Sequence, residues 1–169
     1  MPTQTLQPQA LTAEAFKPYG DVIELREDNE ILKINYGKTQ RHHNLAKVDV
    51  GDAEGYPLIN LFESENVTLP FRIEVMERHP LGSQAFIPLG ENPYVVVVGE
   101  AGDFRPDRLQ AFLASPKQGV NYHKGTWHHF CLALNASSVF AVVDRGGEGD
   151  NCDEVRIAED HELIIGEAE

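Results

Sequence analysis

Short runs of strand-forming residues, separated by glycine, proline, asparagine and aspartate, divide the sequence almost throughout. This punctuation is typical of an antiparallel β-sandwich or barrel. The run 94–98, YVVVV, is β-branched after its tyrosine, which predicts a strand covered on both faces. The pattern predicts an all-β protein with strands near 21–25, 31–36, 45–50, 57–63, 67–78, 84–88, 93–98, 108–113, 127–134, 138–143 and 162–165.

One short helix interrupts this β pattern. Thr12 is a suitable N-cap for a helix over 13–16, and Pro18 and Gly20 are suited to end it. The stretch 144–153, DRGGEGDNCD, is predicted to be a flexible acidic loop. The 169 residues contain no repeat and no linker-like segment, so 1–169 is expected to form a single domain.

The net charge of −13 disfavours two classes of partner. A surface this acidic repels nucleic acid and anionic membrane, so neither is expected to bind. No apolar run approaches the roughly 18 residues of a membrane span, and the first four residues, MPTQ, lack the features of a secretory signal. The chain has two cysteines, Cys131 and Cys152, too few for a disulfide framework, and we therefore expect a cytoplasmic protein.

Two segments place polar groups at alternating positions beside strand-like runs. Residues 77–88 read ERHPLGSQAFIP and residues 119–129 read GVNYHKGTWHH. Because residues i and i+2 of a strand share a face, Glu77 and His79 are expected to point together. His128 is expected to open an inward row with Phe130, Leu132 and Leu134, and His129 to face away. The pattern predicts that carboxylate and imidazole groups from two strands meet in the interior.

The two segments resemble the two motifs of the cupin superfamily. The first motif has metal ligands at i and i+2 and an acid about five residues later, positions held here by Glu77, His79 and Gln84. The second reads roughly Pro-x-Gly-x-x-His, and 123–128 keeps its glycine and its final histidine, His128, with His123 in place of proline. The resemblance implies a double-stranded β-helix, also described as a jelly-roll barrel.

Over the whole chain the sequence is similar to the ureidoglycolate lyase family. The motifs that carry this similarity are NYG at 35–37, RHH at 41–43, the long 77–88 segment, QGVNYH at 118–123, WHH at 127–129, DRGG at 144–147 and DNC at 150–152. The resemblance implies a cytosolic homodimer of cupin fold that splits (S)-ureidoglycolate into glyoxylate and urea during allantoin and purine breakdown. Handedness of the substrate depends on pocket geometry that residue spacing does not fix.

The residues suit this chemistry on their own. Ureidoglycolate is a carbinolamide, and its collapse needs a base for the hydroxyl proton and an acid for the departing nitrogen. Acid–base assistance of this kind supplies about 10²–10⁴-fold in rate. We expect Glu77, His79 and His128 to divide these roles, although spacing does not say which is the base. The alternative for each histidine is an ordinary buried imidazole with a satisfied hydrogen bond.

Other residues are candidates for binding the substrate. Lys124 could hold its carboxylate, with a plain solvated charge as the alternative. Arg41 or Arg145 from loops could help, with a surface ion pair as the alternative. Gln84 could bind the substrate or could simply form a hydrogen bond with a neighbouring residue. Tyr122 could contact the substrate, and the alternative is that it only packs against its neighbours. The complete set of substrate-binding candidates is Lys124, Gln84, Tyr122, His123, Arg41, His43 and Arg145.

A metal is a further candidate. Glu77, His79 and His128 form a 2-His-1-carboxylate set that could bind a divalent ion, and Gln84 would add an amide oxygen, a weaker ligand than a carboxylate. The resemblance associates nickel with the family without making a metal obligatory. Two other functions stay open: a metal-dependent cupin enzyme acting on another small hydroxy acid or sugar, and a non-catalytic cupin that binds an acidic metabolite.

Overall fold

A computed structural model describes residues 2–169; Met1, the first residue of the predicted domain, lies outside the described residues. One α-helix, α1 (Ala13–Phe16), and 3-10 turns at Asp52–Glu54 and Pro106–Arg108 accompany the strands. The strands are β1 (Thr3–Leu6), β2 (Gln9–Ala10), β3 (Gly20–Ile23), β4 (Ile31–Ile34), β5 (Thr39–His42), β6 (Tyr56–Ser64), β7 (Phe71–Arg72), β8 (Val75–Arg78), β9 (Gln84–Pro88), β10 (Tyr94–Gly99), β11 (Gln110–Ala114), β12 (Gly119–Tyr122), β13 (Trp127–His128), β14 (Leu132–Ala133), β15 (Ser138–Gly146), β16 (Asp153–Arg156) and β17 (Glu162–Ile165).

Two large sheets face each other. Sheet I has the order β16-β8-β13-β10-β11-β2, with β14 also paired to β10, and sheet II has the order β3-β12-β9-β15-β6. Most strand pairs are antiparallel, and the chain crosses repeatedly between the sheets from β8 to β15. This alternation is that of a double-stranded β-helix. The all-β prediction is confirmed.

The core lies between the two sheets. Phe86, Tyr122 and Phe140 of sheet II pack against Tyr94 and the alternate valines of β10 in one buried cluster. Val95 and Val97, on the opposite face of β10, belong to a second cluster with Leu163 and Ile165. A small third sheet, β1-β17-β7, supplies that outer layer. Both faces of β10 are therefore covered, as its β-branched sequence predicts.

The short helix begins and ends where the sequence predicts. The Thr12 hydroxyl accepts a hydrogen bond from the Ala15 N–H at 3.1 Å, which satisfies one of the amides left open at a helix start. Phe16 is fully buried against Tyr19 and Phe112. Its burial fixes the N-terminal segment on the core.

Two predicted strands are divided in the structure and a third does not form. The predicted strand 67–78 is divided, because β7 pairs with β17 in the small sheet whereas β8 pairs within sheet I. The predicted strand 127–134 is likewise divided into β13 and β14, and the segment between them carries Phe130 out to solvent at 52% exposure. No strand forms over 45–50, which crosses the outer face of sheet II as an irregular segment.

Five strands are not predicted from the pattern: β1, β2, β5, β12 and β16. Each is short or rich in polar residues. In β12, Gly119 permits a close approach, because a Cβ atom there would lie 2.8 Å from the Phe86 carbonyl oxygen. Strands of this kind form because they hydrogen-bond and pack with neighbouring strands of the sheet, so the β-propensity of their own residues predicts them poorly.

β4 and β5 form a hairpin arm, defined here as residues 31–42. Asn35, Tyr36 and Gly37 turn the chain with φ values of 53°, 58° and 79°. Ile31, Leu32 and Ile34 are each about 40% exposed on this arm. The predicted strand 31–36 thus ends two residues early, because its last two positions are the turn.

Among residues 2–169, no helix is long and apolar enough to cross a membrane.

Candidate active site

Adjacent strands of sheet I bring together three of the residues singled out by the sequence. His128 on β13 lies directly opposite Glu77 on β8, and His79 follows the end of β8. One carboxylate oxygen, Glu77 Oε1, lies 3.5 Å from His128 Nε2 and 3.9 Å from His79 Nε2. The two imidazole rings are 5.0 Å apart. We call Glu77, His79 and His128 the triad.

Both imidazoles of the triad have a fixed orientation. His79 Nδ1 lies 2.7 Å from the Asn151 carbonyl oxygen, and His128 Nδ1 lies 3.1 Å from the Thr126 carbonyl oxygen. A carbonyl oxygen can only accept, so Nδ1 carries the hydrogen in each ring, and in the neutral ring Nε2 carries the lone pair. Neither Nε2 has a hydrogen-bond partner within the described chain. Both Nε2 atoms face the Glu77 carboxylate, where each can carry a proton towards it or offer a lone pair to a cation.

The pKa of Glu77 is lowered. Its contact with His128 is the largest cause, and the charges of His128 and His79 act in the same direction, whereas burial opposes them. At 3.5 Å the Glu77–His128 contact is longer than a good hydrogen bond. The other oxygen of Glu77 lies 3.7 Å from the Cys152 thiol. Glu77 is thus held as a carboxylate between an imidazole pair and a thiol.

The triad fits a divalent cation. Its ligand atoms all lie within 4.8 Å of one another, and both histidines bind a carbonyl through the nitrogen that faces away from Glu77. Histidine ligands of metals usually show this second hydrogen bond, which orients the ring. The two unpartnered Nε2 atoms and the carboxylate supply the donor set of a facial 2-His-1-carboxylate site.

Gln84 lies on sheet II and is buried at 7% exposure. Its Nε2 donates to Asp144 Oδ2 at 3.1 Å, and Asp144 Oδ1 accepts from Asn60 Nδ2 at 2.9 Å. Tyr122 is the strand neighbour of Gln84, and its ring stacks on His128 at 4.3 Å and 6°. The Tyr122 ring therefore connects Gln84 to the triad.

The Tyr122 hydroxyl has a different environment from its ring. It lies 3.9 Å from Cys131 Sγ, and both groups are buried. Burial raises the pKa of Tyr122 well above its ordinary value and that of Cys131 to about 12. Tyr122 contributes a supporting ring to His128, while its hydroxyl belongs to the core.

His123 and Lys124 lie in the turn before β13, where both are paired with acids. His123 Nε2 lies 3.0 Å from Asp21, and Lys124 Nζ lies 2.7 Å from Asp52 and 3.6 Å from Asp49. The contact with Asp52 is the largest cause of the raised pKa of Lys124. His123 and Lys124 line a cavity of about 690 Å³ together with Asp21, Asn44, Leu45, Ala46, Lys47, Val48, Asp49 and Ser83.

Arg41 and His43 line a neighbouring cavity of about 500 Å³. The segment 44–48 borders both cavities. Arg41 belongs to β5, so the prediction that it comes from a loop is wrong, whereas His43 does follow the strand. Neither cavity is lined by the triad itself. The triad side chains are half-buried or buried, and the β12–β13 turn contributes His123 and Lys124 to the larger cavity.

The prediction that Arg145 lies in a flexible loop is wrong. It lies in β15 and is 9% exposed. Its guanidinium donates to the carbonyl oxygens of Asp52, Ala53 and Glu148 at 2.7–3.3 Å. These bonds tie the 52–53 turn to the turn after β15, because a guanidinium presents five donors in a rigid fork.

The inward row expected to start at His128 is also wrong at Phe130. His128, Leu132 and Leu134 are buried as expected, but the ladder is interrupted between β13 and β14. His129, expected to face away, is buried against Phe71 and the Phe130 ring. Its burial lowers its pKa.

Four residues near the triad are missed by sequence reasoning: Asn60, Asp144, Asn151 and Cys152. Asp144 continues the inward row of Phe140 and Val142 on β15, so period-two alternation carried one step further would have found it. The other three have no comparable signal. Asn151 and Cys152 reach the triad because β16 returns beside β8.

Residues 3–164 match the family model described as ureidoglycolate lyase. The chain belongs to the ureidoglycolate lyase family. It is 53% identical over 156 residues to the ureidoglycolate lyase of Burkholderia mallei (strain NCTC 10229), covering 92% of this chain and 91% of that protein. It is 48% identical over 163 residues to the ureidoglycolate lyase of Pseudomonas paraeruginosa, covering 96% of both.

A dTDP sugar isomerase structure from Desulfovibrio desulfuricans is similar at 16% identity and a TM-score of 0.41, covering 85% of this chain and 87% of that chain. The family match and the alternation of strands between two facing sheets confirm the predicted cupin-like fold. In this member of the ureidoglycolate lyase family, the cupin motifs are the segments that carry the triad.

Proposed function

We propose that this protein is a ureidoglycolate lyase that splits ureidoglycolate into glyoxylate and urea in allantoin and purine catabolism. Family membership supports this over more than 90% of the chain. The single observation that carries the chemistry is the triad, in which one carboxylate oxygen lies within 4 Å of two oriented imidazole nitrogens. The reaction needs a base for the hydroxyl proton and an acid for the departing nitrogen, and the triad offers a carboxylate and two imidazoles for these roles.

In the proposed mechanism Glu77 is the base. Contact with His128 lowers its pKa, and as a carboxylate it can take the proton from the substrate hydroxyl. As the C–O bond becomes a carbonyl, the electron pair of the C–N bond leaves with the urea nitrogen. The imidazolium form of His79 protonates that nitrogen through its Nε2–H, and the partly exposed ring then regains a proton from solvent. No covalent intermediate is required.

His128 has a supporting role in this scheme. Its side chain is 2% exposed and stacked on Tyr122, so it orients the Glu77 carboxylate and lines the reacting carbon. Glu77, His79 and His128 could instead hold a divalent cation, nickel by family resemblance. The ion would then supply Lewis-acid polarisation of the substrate hydroxyl and carboxylate in place of proton transfer by these side chains.

Binding of the substrate carboxylate is assigned to Lys124, aided by His123 and by Arg41 and His43 along the adjacent cavity. Lys124 is held by Asp52 and Asp49 in the absence of substrate. An incoming carboxylate must compete with these acids, which disfavours anions that lack further contacts. Tyr122 and Arg145 act on the site through the residues they hold, the first through His128 and the second through the 52–53 turn.

We further propose a single domain over 1–169 that forms a cytoplasmic homodimer. The hairpin arm exposes Ile31, Leu32 and Ile34, and residues 31–48 contain four lysine or arginine residues and no acid. The edge strand β6 exposes Ile59 at 81% and Leu61 at 68% and carries Glu63. An exposed apolar edge of this length invites pairing, and a second copy offers a basic, apolar arm to cover it.

The dimer is tested by light scattering on wild-type protein and on Leu32→Asp and Ile59→Asp, with Leu89→Asp as control. Leu89 is also exposed but lies outside the arm and β6. We expect monomers for the first two variants and a dimer for the control. A wild-type monomer, or dimers for both test variants, would contradict this interface.

The enzymatic proposal is tested by measuring urea and ammonia release from ureidoglycolate, with spontaneous decay subtracted and EDTA-treated protein alongside. Urea without ammonia is the expected result. His128→Ala should lose most turnover, whereas His161→Ala, whose ring bonds Gln4 on the small sheet, should retain it. Ammonia release would mean an amidohydrolase, and wild-type turnover in a folded His128→Ala protein would remove the triad from the mechanism.

A further inference from the structure

The carbonyl oxygen of Gln84 is a buried acceptor that nothing in the described chain satisfies. Its Oε1 has no hydrogen-bond partner although the residue is only 7% exposed. An unpaired buried polar atom lowers stability, so such atoms in native proteins commonly mark a ligand contact. The unpaired atom lies on the side chain that continues the inward row of Phe86 on β9.

The orientation of this amide follows from its neighbours. A carboxylate can only accept, so the NH₂ group of Gln84 must face Asp144 and its carbonyl must face away. Asn60 donates to the other oxygen of Asp144 at 2.9 Å, while Gln84 donates at 3.1 Å. Asn60 and Asp144 therefore hold the Gln84 amide in one orientation.

The amide is also held at the level of the triad. Asp144 continues the row of Phe140 and Val142 on β15, just as Gln84 continues the row of Phe86. Tyr122 pairs with Gln84 on the strand and stacks on His128. The inward-facing rows of sheet II thus lead to the hydrogen-bonded series Asn60–Asp144–Gln84. The Tyr122 ring links this series to the triad on sheet I.

We propose that Gln84 is a specificity residue whose carbonyl accepts a hydrogen bond from an N–H of the substrate ureido group, with Asp144 and Asn60 as positioning residues. This inference rests on the proposed function. Ureidoglycolate has two kinds of donor, its hydroxyl and its ureido N–H groups. The hydroxyl proton goes to the base, so the ureido group is left for a fixed acceptor. A site built this way rejects molecules that lack the donor, because the acceptor then stays unpaired.

The test compares binding of two probes by calorimetry. Oxalurate carries the ureido group and a carboxylate, and glycolate carries the carboxylate and hydroxyl without a ureido group. In Asp144→Asn an amide NH₂ can face Gln84, so the Gln84 amide is free to turn and present its own NH₂ to the site. We expect oxalurate to bind at least tenfold more weakly and glycolate to bind within twofold of wild type. KM for ureidoglycolate should rise at least tenfold, with kcat within threefold.

Two further variants separate this role from others. Asp107→Asn makes the same charge change at an exposed pair with Arg105 and should alter neither probe. Gln84→Met removes the acceptor at similar volume without disturbing the charge, and should reproduce the loss of oxalurate binding if Asp144→Asn does not fold. Nickel binding by these proteins is measured in parallel and should be unchanged.

Equal weakening of both probes, or loss of nickel binding in Gln84→Met, would overturn the proposal in favour of a structural or metal-ligand role. Unchanged oxalurate binding in both variants would also overturn it. The probes bind without turnover, so wild-type protein that binds oxalurate selectively but does not cleave ureidoglycolate would refute the proposed function alone.

Discussion

Replacing Arg145 by methionine separates two roles that this residue can have. The sequence suggests that Arg145 binds the substrate carboxylate, whereas the structure shows its guanidinium donating to the carbonyls of Asp52, Ala53 and Glu148. Methionine keeps much of the side-chain volume and removes every donor. We therefore expect Arg145→Met to destabilise the fold more than it weakens substrate binding.

The magnitude follows from the three carbonyls that lose a partner. Hydrogen bonds from a charged donor contribute about 1.5–3 kcal/mol each, and unsatisfied buried acceptors cost about 1–3 kcal/mol. The three residues that carry these carbonyls are exposed, so water can replace part of the loss. About 1 kcal/mol for each carbonyl gives about 3 kcal/mol in all. For a chain of this size that corresponds to a fall in Tm of about 6–12 °C.

The assay is thermal unfolding at fixed protein concentration, with KM for ureidoglycolate measured on the same preparations. Arg105→Met is the control, because Arg105 pairs with Asp107 on an exposed surface, and its Tm should be unchanged. An Arg145→Met protein whose Tm stays within 2 °C of wild type while KM rises tenfold would refute this reasoning. That result would return Arg145 to the substrate carboxylate.

Substitutions at three other residues, Glu77, Tyr122 and Gly55, have defined outcomes. The folded-state pKa of Glu77 is lowered, so the ionised Glu77 stabilises the fold above its unfolded pKa of about 4.5, and this contribution is lost as the pH falls through the folded pKa. In urea titrations, the free energy of unfolding of wild type should therefore fall relative to that of Glu77→Gln between pH 7 and acid pH. A difference between the two proteins that does not change with pH would contradict the lowered pKa. Tyr122→Phe keeps the ring on His128 and loses only the 3.9 Å contact with Cys131, so kcat should stay within threefold, while Tyr122→Ala should cost about 3–5 kcal/mol of stability in denaturant unfolding. Gly55→Ala would place a Cβ 2.2 Å from the Val50 carbonyl and 2.3 Å from Arg145 Nε, so it should lower Tm, whereas Gly51→Ala, with open space around its Cβ, should not.

Alternation along single strands predicted much of the site. Alternation places Glu77 on β8 and His79 just after that strand on one side of it, and the cupin motifs indicate His128 on β13 as their partner. The same reasoning failed where a strand stops, since Phe130 leaves the ladder after β13 and reaches solvent. It also stopped too early on β15, where Asp144 and Arg145 belong to the strand. A glycine-rich composition predicted a loop there, but pairing with β6 over nine residues extends the strand.

The contacts made by Asn151 and Cys152 could not be predicted from sequence for a topological reason. After β15 the chain leaves sheet II and enters β16, which pairs with β8 in sheet I. That crossing carries the Asn151 carbonyl to His79 and the Cys152 thiol to Glu77. Arg145 holds the turn that starts the crossing, through the Glu148 carbonyl. The segment between β15 and β16 therefore orients the His79 ring, contacts Glu77 and is held by the Arg145 hydrogen bonds. Loss of those bonds should disorder Glu77 and His79 together, although the guanidinium of Arg145 touches neither side chain.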